Sequence, residues 1–312
     1  MFSVVIPLYN KEDHIFETVE SVLGQEYSDF ELIIVDDGST DKSLEIVQSI
    51  SDERLKLVSQ ENAGEGAARN RGIREANREF IAFLDADDYW KENHLAVLKR
   101  LIEKFPKVGI YASNYQIKNK QAFQRPDFAY LKKDNDQKIV NYFEVVTDGD
   151  QIVNSSNSCI PKQVFKKIGF FKENEPLGTD LDMWGRIALE YDIAFTREIS
   201  SVYNQEAINR SCELFVSKRE LPFGRYLRNE YGKPKDPDND LRHAFNYINK
   251  LLIERASANI KLGEKYYARK LLKRYEGDEI QKKYFWLIMS YLPVKLTKQI
   301  QQLYRKIKYS WK

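Results

Sequence analysis

Apolar residues fall into two rhythms that alternate through the first hundred or so positions of this chain. Short, largely apolar runs at Phe2-Ser-Val-Val-Ile6, Leu32-Ile-Ile-Val35, Leu55 to Ser59, Phe80 to Leu84 and Val108 to Ala112 predict strands. Such continuous runs suit strands buried on both faces, as in a parallel sheet. Between them lie helical spacings. Lys11 to Gln25 carries Ile15, Val19, Val22 and Leu23, and helices are also expected over about Asp41 to Ile50, Ala67 to Asn77 and Glu92 to Phe105. Strand and helix alternating in this way point to an α/β domain with a mostly parallel central sheet flanked by helices.

Open parallel sheets bind ligands beyond the carboxyl ends of their strands. Four polar clusters fall at such ends: Pro7 to Asn10, Asp36 to Thr40, Asn62 to Gly66 and Asp85 to Asp88. In the last, a buried strand stops abruptly at Asp85, Asp87 and Asp88. Alternation along a strand and its extension would put Asp85 and Asp87 on one side. There they repel unless a cation sits between them. A hard divalent ion, Mn2+ or Mg2+, suits oxygen ligands and shares one or two carboxylates with substrate phosphates. The same residues also suit an acidic turn leading into the helix from Glu92. Asp36-Asp-Gly-Ser-Thr40 is likewise a good turn and cap, although two adjacent acids exceed what a turn requires. The first strand lacks a Gly-x-Gly-x-x-Gly turn and no Walker lysine occurs, which excludes NAD-linked and P-loop chemistry.

Asn114 to Asp150 has little period and predicts loops with a helix near Ile139 to Val146. Val153 to Ile160 reads as a strand, and Pro161 to Ile168 as a helix opening on proline and stopped by Gly169. Gly178-Thr-Asp-Leu-Asp-Met-Trp-Gly-Arg186 reads as a helix start, with Thr179 and Asp182 at capping-box spacing and Asp180 in the first turn. From about Glu213 the pattern is helical, broken at Gly232 to Pro237, and Leu241 to Tyr275 predicts two helices around Gly263. Leu296, Ile300, Leu303, Tyr304, Ile307 and Trp311 then form one face of a helix that carries basic residues on the other. Such a helix suits a membrane surface, or docks its apolar stripe on the body of the protein with its charges in solvent.

The 312 residues, 42% hydrophobic and 31% charged, fit a globular domain plus an appendage. A net charge of +2 conceals an imbalance, because residues 242–312 hold 17 Lys and Arg against 5 Asp and Glu. That basic end expects an anionic partner. No recognised nucleic-acid module accompanies it, so nucleic acid is not expected. Cys159 and Cys212 are too few for a disulfide framework or a structural zinc site, and no signal-peptide or membrane-spanning pattern is present. A reducing, cytoplasmic setting is expected.

Four stretches, Ser3-Val-Val-Ile-Pro-Leu-Tyr-Asn10, Val35-Asp-Asp-Gly-Ser-Thr-Asp41, Asn62-Ala-Gly-x-Gly-Ala-Ala-Arg-Asn-x-Gly72 and Phe83-Leu-Asp-Ala-Asp-Asp88, resemble family 2 glycosyltransferases in order and spacing. Ser158 to Phe171 continues the likeness. The resemblance implies the GT-A fold, an inverting, metal-dependent transfer from a nucleotide-diphospho sugar, usually UDP-linked, and a glycan or lipid-linked acceptor in bacterial surface polysaccharide synthesis. By it, Pro7 and Tyr9 line the nucleotide pocket and Asp37 accepts from the base. Asn62, Gly64, Arg69 and Ala86 belong to the same nucleotide-sugar site, Asp85 lies by the ribose, and Asp87 ligates Mn2+ or Mg2+. Asp180 takes the place of the family's catalytic base in Glu-Asp-x-Asp-Leu-Trp, with Thr179 where the family has Glu. Residues 1–210 would form the catalytic domain, with 1–112 the donor half and 113–210 the acceptor half. Residues 211–312 would form a basic helical region resting on the inner face of the cell membrane. Two other classes remain open: a catalytically silent sugar-nucleotide scaffold, and a sugar-phosphate nucleotidyltransferase, whose glycine-rich basic amino-terminal loop is absent.

Overall fold

The computed structural model describes residues 1–120, 122–128, 131, 137–207, 218–232 and 238–300. The chain divides into two compact units, Met1–Arg210 and Ser211–Lys312.

The first unit opens with β1 (Phe2–Leu8), α1 (Ile15–Leu23), β2 (Phe30–Asp36), α2 (Ser43–Gln48), β3 (Leu55–Ser59), α3 (Glu65–Glu75) and β4 (Phe80–Phe83). Alternate residues of β1 supply both faces of the sheet. Phe2, Val4, Ile6 and Leu8 join Leu32, Ile34, Ala82 and Leu84 in one core cluster, closed by Ile15, Val19 and Val22 of α1. Val5 points the other way, onto α3, which approaches so closely that a Cβ on Gly72 would lie 2.3 Å from Val5 Cγ1. That contact is why residue 72 has no side chain.

β5 (Tyr89–Trp90), α4 (His94–Lys104), β6 (Ile110–Lys118), β7 (Phe123–Gln124), β8 (Gln137–Val140), α5 (Tyr142–Asp148), β9 (Ser158–Pro161), α6 (Lys162–Ile168), α7 (Thr179–Ala188) and β10 (Ile193–Asn204) complete the unit. The sheet runs β3-β2-β1-β4-β9-β6-β10-β5, with β7 beside β6 and β8 beside β10. Its first four strands are parallel. Beyond them it is mixed: β9 lies antiparallel between β4 and β6, and β10 is parallel to β6. Because β1 has β2 on one side and β4 on the other, the strand order reverses there. In open sheets the ligand crevice lies at the carboxyl ends of the strands where the order reverses in this way.

Three expected boundaries move, each for a local reason. Ile139 and Val140 pair with β10, so the helix after them starts only at Tyr142, capped by Asn141, whose Oδ1 accepts from Glu144 N at 3.1 Å. Asn154 to Asn157 coil into a 3-10 turn closed by Asn154 N donating to Asn157 Oδ1 at 2.8 Å, which delays β9 to Ser158. Pro161 is the last residue of that strand, opposite Phe80, and precedes the helix it was expected to open.

The second unit contains α8 (Pro222–Tyr231), α9 (Asn239–Lys261), α10 (Lys265–Lys273) and α11 (Ile280–Met289). Leu252, Ala256 and Ile260 pack with Ala268, Leu271, Leu272, Tyr275 and Met289. Glu220 is buried yet charge-matched, accepting from Arg228 Nε at 3.0 Å and Arg274 Nη1 at 2.7 Å. The amphipathic helix expected from Leu296 to Trp311 lies, from residue 301 onward, outside the described residues. Among the described residues no helix is long and apolar enough to cross a membrane.

Candidate active site

The parallel strands β1 to β4 bring their polar ends to one edge. After β1, Asn10 takes a left-handed conformation (φ 51°), which asparagine tolerates better than most residues. Its Oδ1 accepts from Thr40 N at 2.8 Å, and the next amide, Lys11 N, donates to Ser43 Oγ at 2.7 Å. The loops after β1 and β2 are thereby sewn together. Lys11 is carried to the end of β4, where its Nζ lies 2.7 Å from Asp87 Oδ2.

The acids after β4 stand in a turn, not on an extension of the strand, with Asp88 N donating to Asp85 O at 3.0 Å. Asp85 and Asp87 therefore do not share one counter-charge, as strand alternation suggested. Each has its own: Asp85 Oδ1 accepts from Arg69 Nη2 at 2.8 Å, and Asp87 has Lys11. Asp88 is buried, accepting from Ser156 Oγ and, at 2.7 Å, from Asn204 N. Burial first, then the charges of Asp87 and Asp85, push its carboxyl well above the ordinary range, against those two hydrogen bonds. Asp88 is thus a structural knot beneath the turn. Ala86 is also buried, its carbonyl accepting from Thr18 Oγ1 at 3.1 Å.

Arg69 comes from the first turns of α3 and is 1% exposed. Burial opposes its charge, but Glu65 and Asp85 more than restore it. It pairs with both, while its Nε and Nη1 are buried without a hydrogen-bond partner in the structure. Unpartnered guanidinium nitrogens are an opening for an anion. At Asp85 burial raises the carboxyl, Arg69 pulls it back, and Asp87 and Asp180 push it up again. The carboxyl of Glu65 faces the same cluster. Desolvation lifts it, Arg69 opposes, and Asp85, Asp180 and Asp87 add to the rise.

Asp180 stands in the first turn of α7, after Gly178 in the left-handed conformation (φ 78°). Thr179 makes no side-chain cap, contrary to the capping-box spacing, because the cap position belongs to Gly178. Asp182 is spent elsewhere, on a buried ion pair with Arg186 at 2.8 Å. What brings α7 to the crevice is α3. Asn70 Nδ2 donates to Phe171 O at 2.9 Å, and Phe171 N returns a bond to Asn70 Oδ1 at 2.9 Å. A Cβ on Gly66 would lie 2.4 Å from Lys172 O. The starts of α3 and α7 are thus held together, and the charge of Asp180 bears directly on Glu65, Arg69 and Asp85.

A second cluster surrounds Asp37, whose carboxylate accepts from Gln60 Nε2 at 2.7 Å, Ala63 N at 2.9 Å and Gly64 N at 2.8 Å. It fixes the loop bearing Asn62 and Gly64 and keeps one lone pair of Oδ2 in reserve. Pro7 is half-buried and Tyr9 exposed at the end of β1. Of the residues expected from sequence, Arg69, Asp85, Asp87 and Asp180 form one electrostatic group, and Asp37, Asn62 and Gly64 another. Lys11, Glu65 and Ser156 join the first without having been singled out. A divalent ion fits the chemistry of the first group, since Asp87 offers hard oxygens at a spot that already attracts an ammonium. Among the described residues no set of three or more metal-binding side chains exists, so further ligands would be oxygens of a bound phosphate.

Residues 3–168 match the model of Glycosyl transferase family 2. An uncharacterized glycosyltransferase of Rickettsia typhi is 29% identical over 217 residues, which cover 67% of this chain and 66% of that protein. TuaG of Bacillus subtilis, named as a putative teichuronic acid biosynthesis glycosyltransferase, is 33% identical over 165 residues, 51% of this chain and 60% of its own. The chain spans less than two thirds of the length of each of these relatives. Among solved structures, S. aureus TarS 1-349 in complex with UDP-GlcNAc superposes with a TM-score of 0.71 at 20% identity, over 98% of this chain and 91% of that one. The mixed sheet with flanking helices is accordingly the GT-A fold, and with more than half its length matched, the chain belongs to glycosyl transferase family 2.

Proposed function

We propose that this chain is an inverting transferase that moves a sugar from a uridine-diphospho donor to a hydroxyl of a glycan or lipid-linked acceptor. The observation that carries this reading is the junction of the starts of α3 and α7, where a Cβ on Gly66 would lie 3.7 Å from Thr179 Cγ2, so that the first turn bearing Asp180 meets the helix whose Arg69 pairs with Asp85. The donor's nucleotide would lie across the ends of β1 and β2, its base against Tyr9, Pro7, Asn62 and the spare lone pair of Asp37. Asp85 and Ala86 would edge the ribose, and the positive charge of the buried Arg69 would face the diphosphate. The UDP-GlcNAc in the TarS complex supports a uridine donor, and the name of TuaG supports a surface polysaccharide as the product's destination.

Mn2+ or Mg2+ would be held by Asp87 and diphosphate oxygens and, when bound, would supply positive charge for the leaving group. Lys11 keeps Asp87 paired beforehand and is placed to turn to the diphosphate. Asp180 takes the proton of the acceptor hydroxyl as that oxygen bonds to the anomeric carbon. The bond from that carbon to the diphosphate breaks on the opposite face, and its electron pair leaves with the phosphate. An α-linked donor would give a β product. The basic end of the chain would rest on an anionic membrane at the cytoplasmic side, where lipid-linked acceptors are presented.

Asp180→Asn is expected to keep donor affinity and lose transfer by about a hundredfold or more. Asp87→Ala should abolish the metal dependence of donor binding, read by calorimetry with and without Mn2+. Transfer by Asp180→Asn at the parental rate would assign the proton to another group.

A further inference from the structure

We propose that the outer face of α11 is the seat on which the second unit meets an anionic lipid bilayer. Ile280, Tyr284 and Ile288 recur every four residues and form one stripe along that helix. They are 57%, 57% and 63% exposed, and Tyr291, just past the helix end, is 69% exposed. The inner side is already satisfied, with Met289 buried in the core of the unit and Trp286 and Leu287 packed against it. Large apolar side chains left in water along one stripe mark a surface that is covered in use.

Charge selects what covers it. From Ile280 to Lys312 the sequence holds eight Lys and Arg and no Asp or Glu. A second copy of this face would bring basic segment against basic segment, and the chain's own basic end would do the same. Anionic headgroups match it, and an apolar stripe with Tyr284 at its middle and Tyr291 past its end, on a segment that carries lysines, suits the depth of the headgroup boundary. Lys295 and Lys298 stand exposed in this segment, as does Lys282, which also pairs with Glu279. A soluble polyanion would satisfy the lysines and leave the stripe wet. A bilayer satisfies both.

The inference rests on the reading that places this chain at a membrane, and it names the element that makes the contact. Full-length protein is sedimented with phosphatidylcholine vesicles, with and without phosphatidylglycerol, alongside two variants, Tyr284→Ser/Ile288→Ser and Lys295→Gln/Lys298→Gln. All positions changed are exposed, and thermal melts of the three proteins establish that each is folded. The parent should pellet with the anionic vesicles. The apolar variant should partition at least tenfold more weakly, because two side chains no longer leave water. The lysine variant should bind with a shallower dependence on salt. Pelleting of the apolar variant equal to the parent would overturn the assignment to α11 while leaving membrane contact standing. A parent that pellets with neither vesicle would overturn both. A doubled mass by light scattering, lost in the apolar variant, would give the face to a second copy and overturn the lipid assignment.

Discussion

His94 shows how much a single buried residue contributes to the fold's tolerance of acid. Its ring is fully buried, stacked on Trp90 with centroids 4.2 Å apart, and its Nδ1 lies 2.8 Å from Ser200 Oγ. Desolvation holds its pKa down at about 3, against the small opposing effect of the bond to Ser200. Because the folded-state value is depressed, the unfolded chain binds the proton first. The stability His94 confers is complete above its ordinary value near 6.5 and is lost as pH falls towards 3. Between pH 5.5 and 4, where the unfolded chain carries the proton and the folded chain does not, the unfolding free energy should fall by about 1.4 kcal/mol per pH unit on account of this residue. His94→Gln, which has no such proton to bind, should remove that slope in urea titrations; an unchanged slope would show that the acid sensitivity lies elsewhere. Not every decisive residue can be seen in this way from its type. Lys11 stands in the sequence as one basic residue among 49 Lys and Arg. Its partnership with Asp87 exists only because Asn10 turns left-handed and the loops after β1 and β2 are tied together.

At the scale of elements, the crevice depends on the grip of α3 on the segment leading into α7. Asn70 is the fastener: it satisfies both backbone groups of Phe171, and it also donates to Glu173 Oε1 at 2.8 Å. Asn70→Ala leaves a buried amide and carbonyl unpaired, which costs about 2–4 kcal/mol. The start of α7 should loosen with it. Transfer is expected to fall by about tenfold or more while the donor's KM stays within about twofold, since Asn70 fastens the segment before α7 and is not among the groups proposed to touch the donor. A KM that rises with an unchanged kcat would contradict that division of labour.

The elements also explain what was legible in the sequence. Parallel strands β1 to β4 could be read directly, because burial on both faces leaves continuous apolar runs. Asp87 could be singled out from the acids that end the β4 run, and Asp180 because a resemblance carried it. Asp37 could be singled out too, although its visible task is to hold the loop that bears Asn62 and Gly64. Ser156 was not singled out, since Val153 to Ile160 reads as one strand and gives the run Asn154-Ser-Ser-Asn157 no special task. Here it is buried by its own hydrogen bonds, with Ser156 receiving from Asp85 N at 3.2 Å and its carbonyl receiving from Trp90 Nε1 at 2.7 Å. Strand alternation does not describe Asp85 and Asp87, because the chain turns where the sheet ends, although the two charges still repel as expected.

For the whole molecule, the two units have separate cores and opposite chemistry. The first unit, residues 1–210, is acidic and holds the strand-end site, while the second, residues 211–312, is basic and helical among its described residues. One feature of the sheet bears on how such a chain is made. β9 sits between β4 and β6, antiparallel to both, and it is the strand through which the parallel amino-terminal half of the sheet reaches the rest. As the nascent chain leaves the ribosome, β4 is complete long before Ser158 appears, and its Phe-Ile-Ala-Phe edge is bare in the interval. A bare apolar edge is a template for pairing with another chain. A fragment of residues 1–150 should therefore pellet on centrifugation, whereas 1–207 should stay in solution, and soluble recovery of both would refute the idea. Four residues emitted midway through translation would thus act as the latch that protects the sheet synthesised before them.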